Sequence, residues 1–216
     1  MNAEQTTLLL IRHGETAWNA EHRIQGRLDV PLSTTGMWQT GRLAQRLAGE
    51  AIDAVVSSDL ARAWMTGAPL ADARGLTMVP EPRLRERVFG IFEGKTLDEI
   101  AAEHPDELAA WRARDVNWRV PGGESGAEFI ARVLEALHEI VQAQAGRTVA
   151  VVTHGGVLDV VYRNARALAW DAPRDHLMLN ASINRLQGQS VPLRLQIVDW
   201  ADVAHLEQAR DELATP

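Results

Sequence analysis

The chain has 216 residues, no cysteine and a formal net charge of -7, from 22 lysines and arginines against 29 aspartates and glutamates. That length can bury a full core without staples, and the missing thiols exclude disulfides, thiolate metal centres and cysteine nucleophiles. The acidic balance argues against general nucleic-acid binding, which needs a basic footprint, so a pocket for an anion must be built locally from a few aimed arginines.

The N-terminal stretch MNAEQTT lacks the basic and apolar regions of a secretory signal. No apolar run approaches the roughly 20 residues a membrane helix needs. A soluble, cytoplasmic protein with no membrane partner is expected.

The first predicted strand, TTLLLI at 6–11, runs straight into Arg12, His13, Gly14 and Glu15 with no turn-forming cluster between apolar and charged residues. A helix is expected after Leu32, capped by Ser33 or Thr34, with Leu43 and Leu47 on its inner face. The second strand, DAVVSS at 53–58, leads into a helix carrying Leu60, Ala63 and Trp64, which places Arg62 about one helical turn beyond Ser58. The loop LRERVFGIFEG at 84–94 supplies Glu86.

Residues 95–123 differ in character, with Trp111, Trp118, Arg112, Arg114, Arg119 and the stretch EHPDE; they are expected to form a partly helical, lid-like insertion over the active-site edge. In the following segment, 124–144, Phe129, Val133, Leu137, Ile140 and Val141 fall on one helical face while Glu128, Arg132, Glu135, His138 and Glu139 fall elsewhere. The third strand, RTVAVVTH at 147–154, ends on His154 followed by Gly155 and Gly156. Glycine there lets backbone N–H groups approach a ligand and opens a helix whose N-terminus favours an anion. SINRLQG and PLRLQIVDW near the end alternate as the two strands of a hairpin.

Strands alternating with helices imply an α/β protein, a three-layer α/β/α sandwich with a mostly parallel central sheet, and no linker divides 1–216 into more than one domain. If the first and third strands are parallel neighbours, His13 and His154 emerge at the same carboxyl edge, where such sheets bind ligands. Arg12 and Arg62 suit a phosphate dianion, because guanidinium forks bind oxygens bidentately and stay charged. A neutral histidine can attack phosphorus, and a positioned glutamic acid can protonate the leaving oxygen. A catalytic metal is disfavoured, because no closely spaced His/Asp ligand motif occurs and Arg12 beside His13 would repel a cation.

The ordered motifs RHGETAWN, RIQGRLDVPLSTTG, SSDLARA, LRERVFGIFEG, PGGES and VTHGG, spanning about residues 6–165, resemble the histidine phosphatase superfamily. The resemblance is to the branch of cofactor-dependent phosphoglycerate mutases and related small-molecule phosphatases. It implies a phosphohistidine intermediate on His13, a phosphate pocket of Arg12, Arg62 and His154, and Glu86 as proton donor. Asn19, Gln25 and Gly26 match positions that line or adjoin that pocket, and Gly155 offers backbone N–H contact. It implies no metal or other cofactor, a small phosphorylated metabolite as partner, and room for a homodimer.

Glycolytic mutases of this kind typically carry asparagine directly after the second His-Gly, where this chain has Gly156, and a longer insertion after the acid. Both departures favour hydrolysis over isomerisation; mutase is the alternative, and a non-catalytic phosphate-binding module on the same fold is a third reading. Arg112, Arg114 or Arg119 could bind a substrate carboxylate under either catalytic reading. Arg85 and Arg87 read as surface or ion-pair residues, and His22, His104, His176 and His205 as structural. The tryptophans fit packing and substrate platforms equally.

Overall fold

A computed structural model describes residues 5–206. Six strands, β1 (Thr6–Arg12), β2 (Ala54–Ser57), β3 (Met78–Pro80), β4 (Thr148–Thr153), β5 (Ile183–Ser190) and β6 (Leu193–Asp202), form one sheet in the order β3-β2-β4-β1-β5-β6. The β3-β2, β2-β4 and β4-β1 pairings are parallel, and the C-terminal hairpin adds β5 and β6 antiparallel. The three predicted strands and the hairpin are present. Strand β3 escaped the sequence reading, being three residues long, ending on a proline and leaving Val79 exposed.

The helices α1 (Ala17–Ala20), α2 (Thr34–Leu47), α3 (Ala61–Asp72), α4 (Leu97–Glu103), α5 (Pro105–Arg112), α6 (Gly126–Ala143) and α7 (Gly155–Ala165) follow local signals. The Ser33 hydroxyl accepts from Gly36 N at the start of α2, and Ser125 with Glu128 forms a capping box at the start of α6. No described helix is long and apolar enough to cross a membrane.

The strands' two-residue period divides the core. Leu8 and Leu10 of β1, with Val149 and Val151 of β4, meet Phe129, Val133 and Leu137 of α6 and Leu158 and Val161 of α7. Leu9 and Ile11, with Ala150 and Val152, meet Leu43 and Leu47 of α2 and Ala63 and Leu70 of α3 on the opposite face. Hence the sandwich has three layers. A separate apolar cluster of Phe92, Ile100, Leu108 and Val120 gives the 95–123 segment its own packing.

Candidate active site

The register of β1 against β4 pairs Arg12 with Thr153. The next residue of each strand is a histidine, so His13 and His154 leave the sheet side by side, with ring centroids 5.2 Å apart. Ser57 of β2 pairs with Val152 on the other side of β4, and the following residue, Ser58, places its hydroxyl 2.8 Å from His154 Nε2. Three adjacent parallel strands thus deliver Arg12-His13, His154 and Ser58 to one carboxyl edge. Residues 8–13 therefore end a buried strand on charge because that edge is a pocket floor.

His13 is buried, and its Nδ1 lies 2.7 Å from the Gly14 carbonyl. A carbonyl can only accept, so Nδ1 carries the proton and Nε2 keeps its lone pair. Burial, then the charges of Arg62 and Arg12, push the His13 pKa well below the usual histidine range. The ring is therefore neutral and nucleophilic at neutral pH. His154 is held low by the same causes, burial first. Its Nδ1 is buried without a hydrogen-bond partner among the described residues.

Arg62 is 1% exposed, on the first turn of α3. Its Nη1 donates to the Leu28 carbonyl at 2.9 Å and its Nη2 to the Gly26 carbonyl at 2.7 Å, which fixes the guanidinium plane. Arg12 donates through Nη1 to the Met178 carbonyl, and burial lowers its pKa to about 10, so it stays charged. Burying a cation costs several kcal/mol unless an anion offsets it. The carboxylate whose charge acts on both guanidiniums is Glu86.

Arg12, His13, Asn19, Gln25, Gly26, Arg62, Glu86 and Gly155 all border one cavity of about 330 Å³. Gly26, whose carbonyl accepts from Arg62, has φ +52, and a Cβ there would fall 2.1 Å from Glu93 Oε1, so a side chain would be strained and would displace the Glu93 carboxylate. Asn19 caps α1 reciprocally with Thr16, and its Oδ1 lies 3.4 Å from Asn180 Nδ2. Asn180 Nδ2 also donates to the His13 carbonyl at 3.0 Å. Gln25 is buried with Oε1 unpartnered among the described residues. His154 stands differently: it is fully buried behind His13 rather than on the cavity wall.

Glu86 is held from both sides. Its Oε1 accepts from Arg87 N at 2.8 Å and its Oε2 from Gly156 N at 2.9 Å. A Cβ on residue 156 would fall 2.2 Å from Glu86 Oε1, so the second glycine after His154 makes room for the carboxylate. The loop carrying Glu86 is pinned from below by Arg132 of α6, which donates to the carbonyls of Arg83 at 2.6 Å, Arg85 at 2.8 Å and Glu86 at 3.0 Å. Arg132 is itself bound by Glu124 at 2.6 Å.

A second cavity of about 220 Å³ adjoins the first, sharing Phe89, Trp111, Gly156 and Arg174 with it. Its walls add Arg87, Arg112, Arg114, Trp118 and Trp170. Gly156, whose N–H donates to Glu86, lies on the boundary between the two cavities.

Several expectations need correction. Arg87 is neither a surface nor an ion-pair residue: it is buried, donates to the Glu124 carbonyl at 3.1 and 3.0 Å, and its guanidinium lies 5.8 Å from the Trp170 ring centre. Arg85 does form the expected ion pair, with Asp59. Arg119 turns outward to Glu128 at 2.8 Å and borders neither cavity, unlike Arg112 and Arg114. His22 borders the first cavity instead of serving only the fold. Arg132 reads as a surface position by periodicity, yet its side chain is 15% exposed and organises the acid loop. Local sequence context does not single out Asn180, Trp170 or Arg174, whereas Ser58 carries a signal, since it follows a strand beside the other two.

The model of the histidine phosphatase superfamily (branch 1) matches residues 8–201. The chain is 38% identical over 212 residues to a probable phosphoglycerate mutase GpmB of Yersinia pestis, covering 94% of this chain and 97% of the relative. Among solved structures, Bacillus stearothermophilus YhfR superimposes with a TM-score of 0.84 at 33% identity, covering 93% of this chain and 99% of that one. A mycobacterial glucosyl-3-phosphoglycerate phosphatase, solved with VO3, gives a TM-score of 0.79 at 33% identity, covering 92% and 99%.

Proposed function

The chain belongs to the histidine phosphatase superfamily, and within it we propose that it is a metal-independent phosphomonoester hydrolase acting on a small phosphorylated metabolite through a phosphohistidine. The observation that carries this reading is His13. Its ring has Nδ1 fixed on the Gly14 carbonyl and a pKa depressed by burial, Arg62 and Arg12, and it borders the same cavity as Glu86.

In the proposed cycle the phosphoryl group enters against Arg12 and Arg62, whose remaining N–H donors point to its oxygens. The Nε2 lone pair of His13 attacks phosphorus while the bond from phosphorus to the leaving oxygen breaks, and Glu86, protonated in the substrate complex where the phosphoryl group takes over as counter-ion to Arg12 and Arg62, supplies that oxygen's proton. Phosphoryl transfer needs mainly positioning and charge stabilisation. The two guanidiniums provide the charge, and the Gly14 carbonyl stabilises the Nδ1 proton of the imidazolium that forms. His154, buried beside His13 with its Nε2 on the Ser58 hydroxyl, backs the nucleophile's ring from outside the cavity. Ionised Glu86 then takes a proton from water, the oxygen attacks phosphorus, and the bond to Nε2 breaks to release phosphate and neutral His13.

Hydrolysis is favoured over isomerisation by Gly156, because the position where mutases place a side chain is occupied here by the Glu86 carboxylate. The test is product analysis of EDTA-treated enzyme on a phosphomonoester panel that includes 3-phosphoglycerate, with and without 2,3-bisphosphoglycerate. Phosphate release without metal or primer is expected. Primer-dependent 2-phosphoglycerate with little phosphate would replace this reading with the mutase.

A further inference from the structure

Asp159, one turn into α7, has a side chain 2% exposed and gathers cations from three segments. Arg163 of the same helix donates to its Oδ1 at 3.0 Å. Arg174, from the loop 166–182, donates to Oδ2 at 3.2 Å, and Arg114, from the insertion, lies 3.8 Å from the same oxygen. His176 Nε2 is 3.0 Å from Oδ1, with its ring stacked on Tyr162 at 3.9 Å. One carboxylate therefore faces three guanidiniums, and the wall it organises stays positive in a chain whose formal net charge is -7.

The same residues shape the second cavity. Arg114 donates from Nε to the Trp170 carbonyl at 2.8 Å and lies 5.3 Å from the centre of that indole. Arg163 donates to the Ala169 carbonyl at 2.7 Å and fixes the start of the loop. Arg174 borders both cavities, with 46% of its side chain exposed, so its outer donors are open to a ligand. Asp159 itself touches the reacting groups only through α7, whose first two residues are Gly155 and Gly156.

We propose that Asp159 is a positioning residue for leaving-group recognition: it holds Arg174 and Arg114 at the wall of the second cavity, selecting phosphomonoesters whose leaving group carries a carboxylate or other anion beside flat apolar surface. The proposal rests on the phosphomonoesterase reading. Guanidinium and indole on one wall match an anion next to a ring or apolar face, and an unanchored arginine would lose much of that affinity to conformational freedom.

The experiment compares phenyl phosphate with 4-carboxyphenyl phosphate, which differ by one carboxylate. Wild-type enzyme is expected to prefer the carboxylated ester in kcat/KM. Asp159→Asn should cut that preference about tenfold, the scale of one charge-assisted hydrogen bond, with the change in KM rather than kcat. Arg174→Ala, at a half-exposed position, should cut it similarly, and the double variant should lose less than the product of the two single losses, because Asp159 acts in part through Arg174 and in part through Arg114. Parallel losses on both esters would show a merely structural aspartate; a stronger preference in Asp159→Asn, or none lost in Arg174→Ala, would overturn the proposal. If Asp159→Asn does not fold, Arg174→Ala decides alone. Wild-type enzyme that releases no phosphate from either ester would instead defeat the phosphomonoesterase reading.

Discussion

The two cavities that meet at Gly156 are anchored differently. The proposed phosphate end rests on the carboxyl edge of three parallel strands, and its polar side chains are locked by backbone: Arg62 by the Leu28 and Gly26 carbonyls, His13 by the Gly14 carbonyl, Glu86 by two N–H groups. The proposed leaving-group end is walled by the 95–123 segment and the loop 166–182, and two of its arginines, Arg114 and Arg174, converge on one side-chain carboxylate, Asp159. Backbone anchoring suits chemistry common to every phosphomonoester. Side-chain anchoring lets specificity vary without disturbing the sheet.

If this division is right, damage to the phosphate end should be large and indifferent to the leaving group. His13→Ala should lower kcat by at least about 10⁴-fold on every ester while leaving the melting temperature nearly unchanged, since a nucleophile has no substitute. Glu86→Gln sits at the junction and should discriminate, losing about 10²–10⁴-fold on alkyl phosphates and far less on p-nitrophenyl phosphate, whose anion leaves unaided. Equal losses on both would remove Glu86 from the acid role.

Arg62→Ala should cost about 10²–10³-fold in kcat/KM to the same extent on alkyl and aryl esters, measured by steady-state kinetics; a leaving-group-dependent loss would blur the boundary between the two ends. Trp118→Ala, on the far wall, should raise KM about tenfold for bulky esters, consistent with the loss of one large aromatic contact, and barely move kcat.

The smallest effect is a titration. His13 and His154 have pKa values pushed below the ordinary 6.5 by burial and arginine charge, so their ring nitrogens should read as neutral by nitrogen-detected NMR at pH 6.5. The sign follows from the unfolded chain binding the protons first. The stability carried by these neutral rings is fully present above pH 6.5 and is lost as pH falls from there towards their folded values. Charged rings at pH 6.5 would contradict the nucleophile's assigned state.

The contrast between the two ends also explains what the sequence revealed. Strands β1, β2 and β4 and helix α6 have strong periods, and strand ends followed by Arg-His-Gly or His-Gly-Gly mark a ligand edge, so Arg12, His13, Arg62, Glu86 and His154 could be named from local context. The acid's support could not. Arg132 lies on the polar face of α6 by period, and only the fold brings the 83–86 carbonyls above it. Gly156 read as a missing side chain, whereas it is the space Glu86 occupies. Of the second cavity's wall the sequence offered Arg112 and Arg114 as candidates, but Arg87, Asp159, Trp170 and Arg174 come from three further segments with no shared motif, and the direction of a long arginine is decided only by packing. Arg119 turned out and Arg87 turned in for that reason.

The most direct test of the account is to quench the reaction of EDTA-treated enzyme with an ester carrying a radiolabelled phosphoryl group, and to locate the label. The account predicts an acid-labile, base-stable phosphoramidate on His13 that forms and decays within one turnover and is absent in His13→Ala. Rapid phosphate release with the label on another residue, or turnover at the wild-type rate by His13→Ala, would contradict it.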